Sequence, residues 1–201
     1  MIEIFAHRAI YQNKENSLDG IENNLKLGYN IEIDVRKNNS GVYLSHDVSN
    51  NKIELFENAC KIIKNYNKKV AIHIKEKFDV EEVIDLILKY NIGKKCFIFN
   101  TMKQKFSTEQ IDVAIYQNNY KIQDNAKIFW CDESDGVWYN EKWFNDNKKS
   151  NITCITMSRE LLSKSNLNEI KIEWNRLSKL GTDGICTDFP NELKKFVSEE
   201  L

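Results

Sequence analysis

The sequence predicts an α/β fold in the form of a distorted (β/α) barrel, on three observations. Short runs rich in Ile, Val, Phe and Tyr alternate with longer, helically periodic stretches; nine such runs can be counted; and one pair follows directly, with no helix between. Alternation argues for βαβ units and a mostly parallel sheet, which doubly wound sheets and barrels both satisfy. Nine strand candidates with one hairpin favour a barrel that departs from the ideal, and periodicity does not say which candidate stands outside it.

In chain order, residues 2–6 (IEIFA) read as the first strand and 17–27 (SLDGIENNLKL) as a helix, with Gly28 at the position just past its end. Residues 31–35 (IEIDV) and 42–45 (VYLS) are strands joined through KNNSG, a hairpin. A helix over 54–65 leads to a strand at 70–74 (VAIHI), then a helix at 79–90 with Val80, Val83, Ile84, Ile87 and Leu88 as one apolar stripe. Strands follow at 96–99, 113–116, 127–131 and 152–156. A helix at 167–180, closed by Gly181, precedes the last strand at 184–187.

The chain of 201 residues reads as one domain, 1–201, with two small domains as the alternative; 41% hydrophobic and 29% charged residues are ordinary for a globular protein. A net charge of -1 gives no polyanion-binding face, so nucleic acid is not an expected partner. The apolar runs are too short for a membrane span, and Met-Ile-Glu-Ile-Phe-Ala-His-Arg is no signal peptide. Cys60, Cys96, Cys131, Cys154 and Cys186 are odd in number and scattered, which fits reduced thiols in a cytoplasm. The sequence holds no GxGxxG, P-loop, GxSxG, HExxH or zinc-type cysteine spacing.

Chemistry gathers at strand ends. His7, His46 and His73 each close a predicted strand, and in a (β/α) barrel those ends share one face. Alternation puts Glu32 and Asp34 on one face of their strand and Ile31, Ile33 and Val35 on the other. Two close, poorly solvated carboxylates repel, and a divalent cation resolves the conflict; the alternative is an edge strand with a wet face. His73 and Lys75 repeat the geometry: His73 reads as a metal ligand through a neutral ring nitrogen or as a satisfied surface or core residue, and Lys75 as a phosphate-binding point charge or a solvated strand end. Arg8 suits bidentate phosphate recognition, or a structural pairing with Glu15 or Asp34. Ser17 or Asn16 is placed to cap the first helix. Trp130 and Asp132 share a face near another strand end, where Asp132 suits a substrate hydroxyl. Asp188 reads as a loop hydrogen-bond acceptor, and Trp138 and Trp143 as packing residues.

The motifs form an ordered set: AHRA at 6–9, EN at 15–16, GYNIEIDVR at 28–36, a turn with Gly41, YLSHD at 43–47, VAIHIK at 70–75 and GICTDFP at 184–190. This set resembles the glycerophosphodiester phosphodiesterase family of the PLC-like phosphodiesterase superfamily, whose pattern is HRG, ENT, G-x-x-x-E-x-D-V, a turn and HD, E-I-K, then DGI-x-TD-x-P. The likeness spans nearly the whole chain, loosest over 100–170. It implies a distorted (β/α)8 TIM barrel of the PLC-like phosphodiesterase type and a phosphoric diester hydrolase of lipid metabolism, acting on a glycerophosphodiester or similar small phosphodiester. It implies His7 and His46 as the acid/base pair and Glu32 and Asp34 as ligands of a divalent metal ion such as Mg²⁺ or Ca²⁺. His73 falls where the third ligand is usually glutamate. Arg8, Lys75, Glu15 and Trp130 are the candidates for substrate contact.

The chain departs from the family in three places. Ala9 replaces the motif glycine, a mild change unless a positive φ is needed. His73 in place of glutamate makes the metal site less negative and softer, moving its preference toward Mn²⁺ or Zn²⁺. The usual insertion after His46, which shapes the glycerol pocket, is missing, leaving a more open mouth. Two further readings stand beside hydrolysis: a phospholipase-like lyase that releases a cyclic phosphate, and a catalytically inactive barrel that binds phosphodiesters or a protein partner.

Overall fold

A computed structural model describes residues 2–49, 53–75, 80–99, 111–116, 127–132, 139–148 and 151–200. The chain divides into two units, one of Met1–Phe5 with Ala114–Leu201 and one of Ala6–Val113. The first strand, β1, is Glu3–Ala6.

In the unit Ala6–Val113, α1 (Leu18–Lys26) starts where Ser17 Oγ accepts a hydrogen bond from Gly20 N at 3.1 Å, so Ser17 is the cap. Strand β2 (Asn30–Asn38) outruns the expected 31–35, because the hairpin ladder with β3 (Gly41–Leu44) continues from Val35–Leu44 to Asn38–Gly41. Gly41 sits at φ +109°, which a side chain would strain. A two-residue strand, β4 (Glu54–Leu55), pairs antiparallel with β3, so α2 (Phe56–Ile63) begins two residues later than the helix expected at 54–65. Two residues are too few to show a period, which is why the sequence does not betray β4.

Strand β5 (Val70–Ile74), α3 (Glu81–Lys89), β6 (Cys96–Phe99) and β7 (Asp112–Val113) complete this unit. The parallel order is β7-β6-β5-β2. Val80, Val83, Ile84 and Ile87 are buried as expected, whereas Leu88 is 39% exposed and falls outside the stripe. The core is built from Ile21, Ile31, Ile33, Val35, Phe56, Ile63, Ile72, Ile74, Val83, Ile87 and Ile98.

The other unit holds β1, β8 (Ile115–Tyr116), β9 (Ile128–Cys131), α4 (Glu141–Asn147), β10 (Thr153–Met157), α5 (Leu167–Leu180), β11 (Gly184–Thr187) and α6 (Pro190–Glu200). The run expected as one strand at 113–116 is therefore two, β7 pairing with β6 and β8 with β9. Strands run β1-β11-β10-β9-β8, with β11-β10-β9-β8 parallel. The expected helix at 167–180 keeps its bounds: Asn166 and Glu169 form a capping box and Gly181 ends it at φ +80°. Helices α4 and α6 were not expected. The first has little apolar period, and the second opens on Pro190, which the first turn of a helix tolerates. Its Leu193 and Phe196 pack with Trp174, Ile170, Ile185 and Phe144 into a second core. All five cysteines are buried and none is in a disulfide, and burial pushes the Cys60, Cys96 and Cys154 thiols up, away from reactive thiolate.

Candidate active site

The parallel register of β2 and β5 sets Glu32 opposite Ala71 and Asp34 opposite His73. Ile31, Ile33 and Val35 take the other face of β2, each 0% exposed. Glu32 and Asp34 are themselves only 2% and 1% exposed, so the wet-edge reading of this strand is wrong. His73 Nδ1 lies 3.1 Å from Asp34 Oδ1 and 4.0 Å from Glu32 Oε1. The ring stacks on Phe99 with centroids 4.5 Å apart, which fixes its plane. One ligand atom from each of Glu32, Asp34 and His73 falls within 4.8 Å of the others.

The remaining carboxylate oxygens are occupied by the protein. Glu32 Oε2 accepts the Arg8 main-chain N–H at 2.8 Å. Asp34 Oδ2 accepts Asn16 Nδ2 at 2.9 Å, while Asn16 Oδ1 accepts the Asp34 main-chain N–H at 2.8 Å. Burial, and then the Asp34 charge, push the Glu32 carboxyl well above the usual range. Burial works against Asp34 too, but hydrogen bonds from His73 and Asn16 and the charges of His73 and Lys75 hold it well below that range. The pair cannot both carry charge cheaply by themselves. Two buried carboxylates and an imidazole, each with a possible ligand atom within 4.8 Å of the others, fit a divalent cation that would relieve this conflict.

His7, Arg8 and Ala9 form a short 3-10 turn after β1. Arg8 and Ala9 both take positive φ, +48° and +47°. The conformation the missing motif glycine would suit is therefore present, and Ala9 adopts it at a cost of about 1–2 kcal/mol. The turn is pinned by Arg8 N to Glu32, by Asn16 N donating to Arg8 O at 2.6 Å, and by α1. A Cβ on Gly20 would come within 2.2 Å of Ala9 O, so only glycine lets the helix approach this closely. His7 stands near enough to Glu32 for its charge to favour the ionised carboxylate. Arg8 realises both structural pairings anticipated for it, Nη1 to Glu15 Oε2 at 2.8 Å and Nε to Asp34 Oδ2 at 3.5 Å. Lys75 Nζ is 3.7 Å from Asp34 Oδ1.

His46 follows β3. Its carbonyl accepts Arg36 Nε at 2.9 Å and Nη2 at 2.7 Å, and its Nδ1 lies 2.8 Å from Asp47 Oδ1. Ser45 N donates to Asp34 O at 3.2 Å, tying this segment to β2.

Other candidates fall in the second unit. Trp130 is 3% exposed in β9, edge-on to Phe5 with centroids 6.0 Å apart. Asp132 follows the end of β9, its N–H donating to Trp130 O at 3.0 Å. Asp188 N donates to Glu160 Oε1 at 3.1 Å, and the same oxygen accepts Thr187 Oγ1 at 2.5 Å. Trp143 packs against Phe129 and Phe144. Trp138 lies outside the described residues.

Sequence reasoning missed Asn16 as the partner of Asp34, Phe99 as the platform under His73, and Arg36. Arg36 was within reach: alternation that puts Glu32 and Asp34 on one face continues to it.

No family model and no curated protein matches the sequence. Solved structures do. A protein assigned as a glycerophosphodiester phosphodiesterase from Galdieria sulphuraria superposes with a TM-score of 0.76 at 15% identity, over 99% of this chain and 98% of its own. A glycerophosphoryl diester phosphodiesterase from Parabacteroides distasonis gives 0.66 at 15% identity, over 98% and 86%. A Ca²⁺-dependent phosphatidylinositol-specific phospholipase C from Streptomyces antibioticus gives 0.64 at 10% identity, over 96% of each chain. The chain has the α/β fold of these proteins, a distorted (β/α) TIM barrel of the kind its strand and helix order led one to expect.

Proposed function

We propose that this chain is a metal-dependent phosphodiesterase, a single domain over 1–201, that hydrolyses a glycerophosphodiester or similar small phosphodiester by acid/base catalysis at His7 and His46. The observation that carries the reading is the grouping of Glu32, Asp34 and His73, whose possible ligand atoms lie within 4.8 Å of one another. The fold it shares with phosphodiesterases supports it. A divalent ion there would supply Lewis-acid stabilisation to a phosphate oxygen. The residues do the rest. Lys75, beside Asp34, offers a charge-assisted contact to a non-bridging oxygen. Arg8, engaged by Glu15 and Asp34, contributes positive potential and holds Glu32 through its N–H. One imidazole takes the proton of the nucleophile and the other returns one to the leaving alkoxide. Five buried cysteines outside any disulfide support a reducing compartment, the cytoplasm.

The test is turnover of bis-nitrophenyl phosphate and glycerophosphodiesters by purified protein with Mg²⁺, Ca²⁺, Mn²⁺ or Zn²⁺. His7→Ala and His46→Ala should each lower kcat by about 10²–10⁴. Absence of turnover with all four ions rejects the reading in favour of a binding barrel. Similarity to a phosphatidylinositol-specific phospholipase C favours a second outcome, attack by a neighbouring substrate hydroxyl. ³¹P NMR of the product separates a cyclic phosphate from a monoester.

A further inference from the structure

The geometry points to Arg36 as the positioning residue for His46. The inference rests on the reading of His46 as an acid/base group, and it adds a residue that this reading does not contain.

Arg36 follows Asp34 by two in β2, so its side chain leaves the strand on the same face as Glu32 and Asp34. Its guanidinium donates twice to the carbonyl oxygen of His46, through Nε at 2.9 Å and Nη2 at 2.7 Å. Charged donors make strong hydrogen bonds, and two from one rigid plane fix direction as well as distance. The site of attachment matters. His46 lies two residues beyond the last rung of the β2–β3 ladder, Val35–Leu44, where regular strand pairing no longer holds the chain. There β2 holds the segment in two other ways: Asp34 O accepts Ser45 N at 3.2 Å, and Arg36 grips His46 O. One strand thus carries two of the proposed metal ligands and fixes the main chain that bears the proposed acid/base imidazole. Within the segment, Ser45 Oγ donates to Asp47 O at 2.5 Å, and His46 Nδ1 meets Asp47 Oδ1 at 2.8 Å. With Nδ1 turned to Asp47, Nε2 is the ring atom left for proton transfer. Its direction then depends on the peptide that Arg36 holds.

Arginine is needed here for its shape. A lysine at 36 would keep the charge and lose the paired approach, and a methionine would keep much of the apolar stem and lose both.

The test compares wild type, Arg36→Met and Arg36→Lys. Arg36→Met should lower kcat by about 10²-fold, the scale of a misplaced catalytic group, with KM within about twofold. Added guanidinium ion should restore part of kcat in Arg36→Met but none in His46→Ala. Arg36→Lys should fall between. Full kcat in Arg36→Met alongside a dead His46→Ala overturns the positioning role and leaves the phosphodiesterase reading intact. A second measurement needs no turnover. The chain has three histidines, so the His46 ring nitrogens can be assigned in ¹⁵N spectra by difference with His46→Ala. Wild type should give one sharp tautomer protonated at Nδ1, and Arg36→Met a tautomer mixture or broadened signals. Identical His46 signals in both proteins also overturn the proposal, whatever the chain does to phosphodiesters.

Discussion

Glu32 is the residue on which protonation, stability and metal binding meet. Burial and the neighbouring Asp34 charge raise its pKa in the folded chain above its value in the unfolded one. The folded state then holds a proton that the unfolded state gives up. Stability present below the ordinary carboxylate range is lost as pH rises from that range through the raised folded value. Asp34 has the opposite sign: its depressed pKa gives stability above the ordinary range, lost as pH falls through the folded value. In metal-free protein, Glu32→Gln should therefore match wild type in acid and become the more stable of the two as pH rises. Chemical denaturation at a series of pH values reads this directly. A wild type that gains on Glu32→Gln toward alkaline pH would show that Glu32 is not held protonated.

At the scale of elements, α1 and β2 build the site between them. Asn16, at the mouth of α1, bonds both the side chain and the main chain of Asp34, and Gly20 in α1 lies under the His7–Ala9 turn. Gly20→Ala gains helix propensity of about 1 kcal/mol in isolation. Here the new methyl would stand 2.2 Å from Ala9 O, a backbone atom that can move only by moving the turn. The clash should win, with a net loss of about 1–3 kcal/mol and, since Arg8 N leaves Glu32 with the turn, weakened metal binding. Urea denaturation and calorimetry check the two effects, and a Gly20→Ala protein as stable as wild type would contradict the packing. The same elements show what sequence can and cannot convey. Alternation in IEIDV and in VAIHIK fixed which side chains share a face, so Glu32, Asp34 and His73 were legible before any coordinates. The bond from Asn16 to Asp34 was not, because it joins residues 18 apart across α1 and Asn16 lies outside any periodic run. Strand β4 and helix α4 were hidden for a related reason: two residues, or seven with few apolar positions, carry too little pattern. Ala9 was legible as a departure, and only its φ of +47° shows that the position demands a left-handed backbone.

Over the whole molecule, the residues proposed for chemistry, apart from Trp130, fall within Ala6–Val113, on or beside elements that share one core. A cation held by Glu32, Asp34 and His73 binds only when that core is formed, so binding must appear as folding stability. At a metal concentration 100 times Kd the gain is about 2.7 kcal/mol, enough to raise Tm by several degrees. Which ion does this best follows from the donors. Glu32 Oε2 and Asp34 Oδ2 are already held by Arg8 N and Asn16 Nδ2, so each carboxylate offers one oxygen, and His73 offers nitrogen. Ca²⁺ favours more oxygens and often bidentate carboxylates, whereas Mn²⁺ and Zn²⁺ accept imidazole in smaller shells. Thermal unfolding should then rank Zn²⁺ and Mn²⁺ above Ca²⁺. His73→Glu, by restoring an all-oxygen set, should narrow or reverse that order, as isothermal calorimetry would quantify. If none of these ions, nor Mg²⁺, shifts Tm in wild type, Glu32 and Asp34 are not metal ligands, and the buried carboxylates are satisfied by a proton and by protein groups, among them Lys75, His73, Arg8 and Asn16.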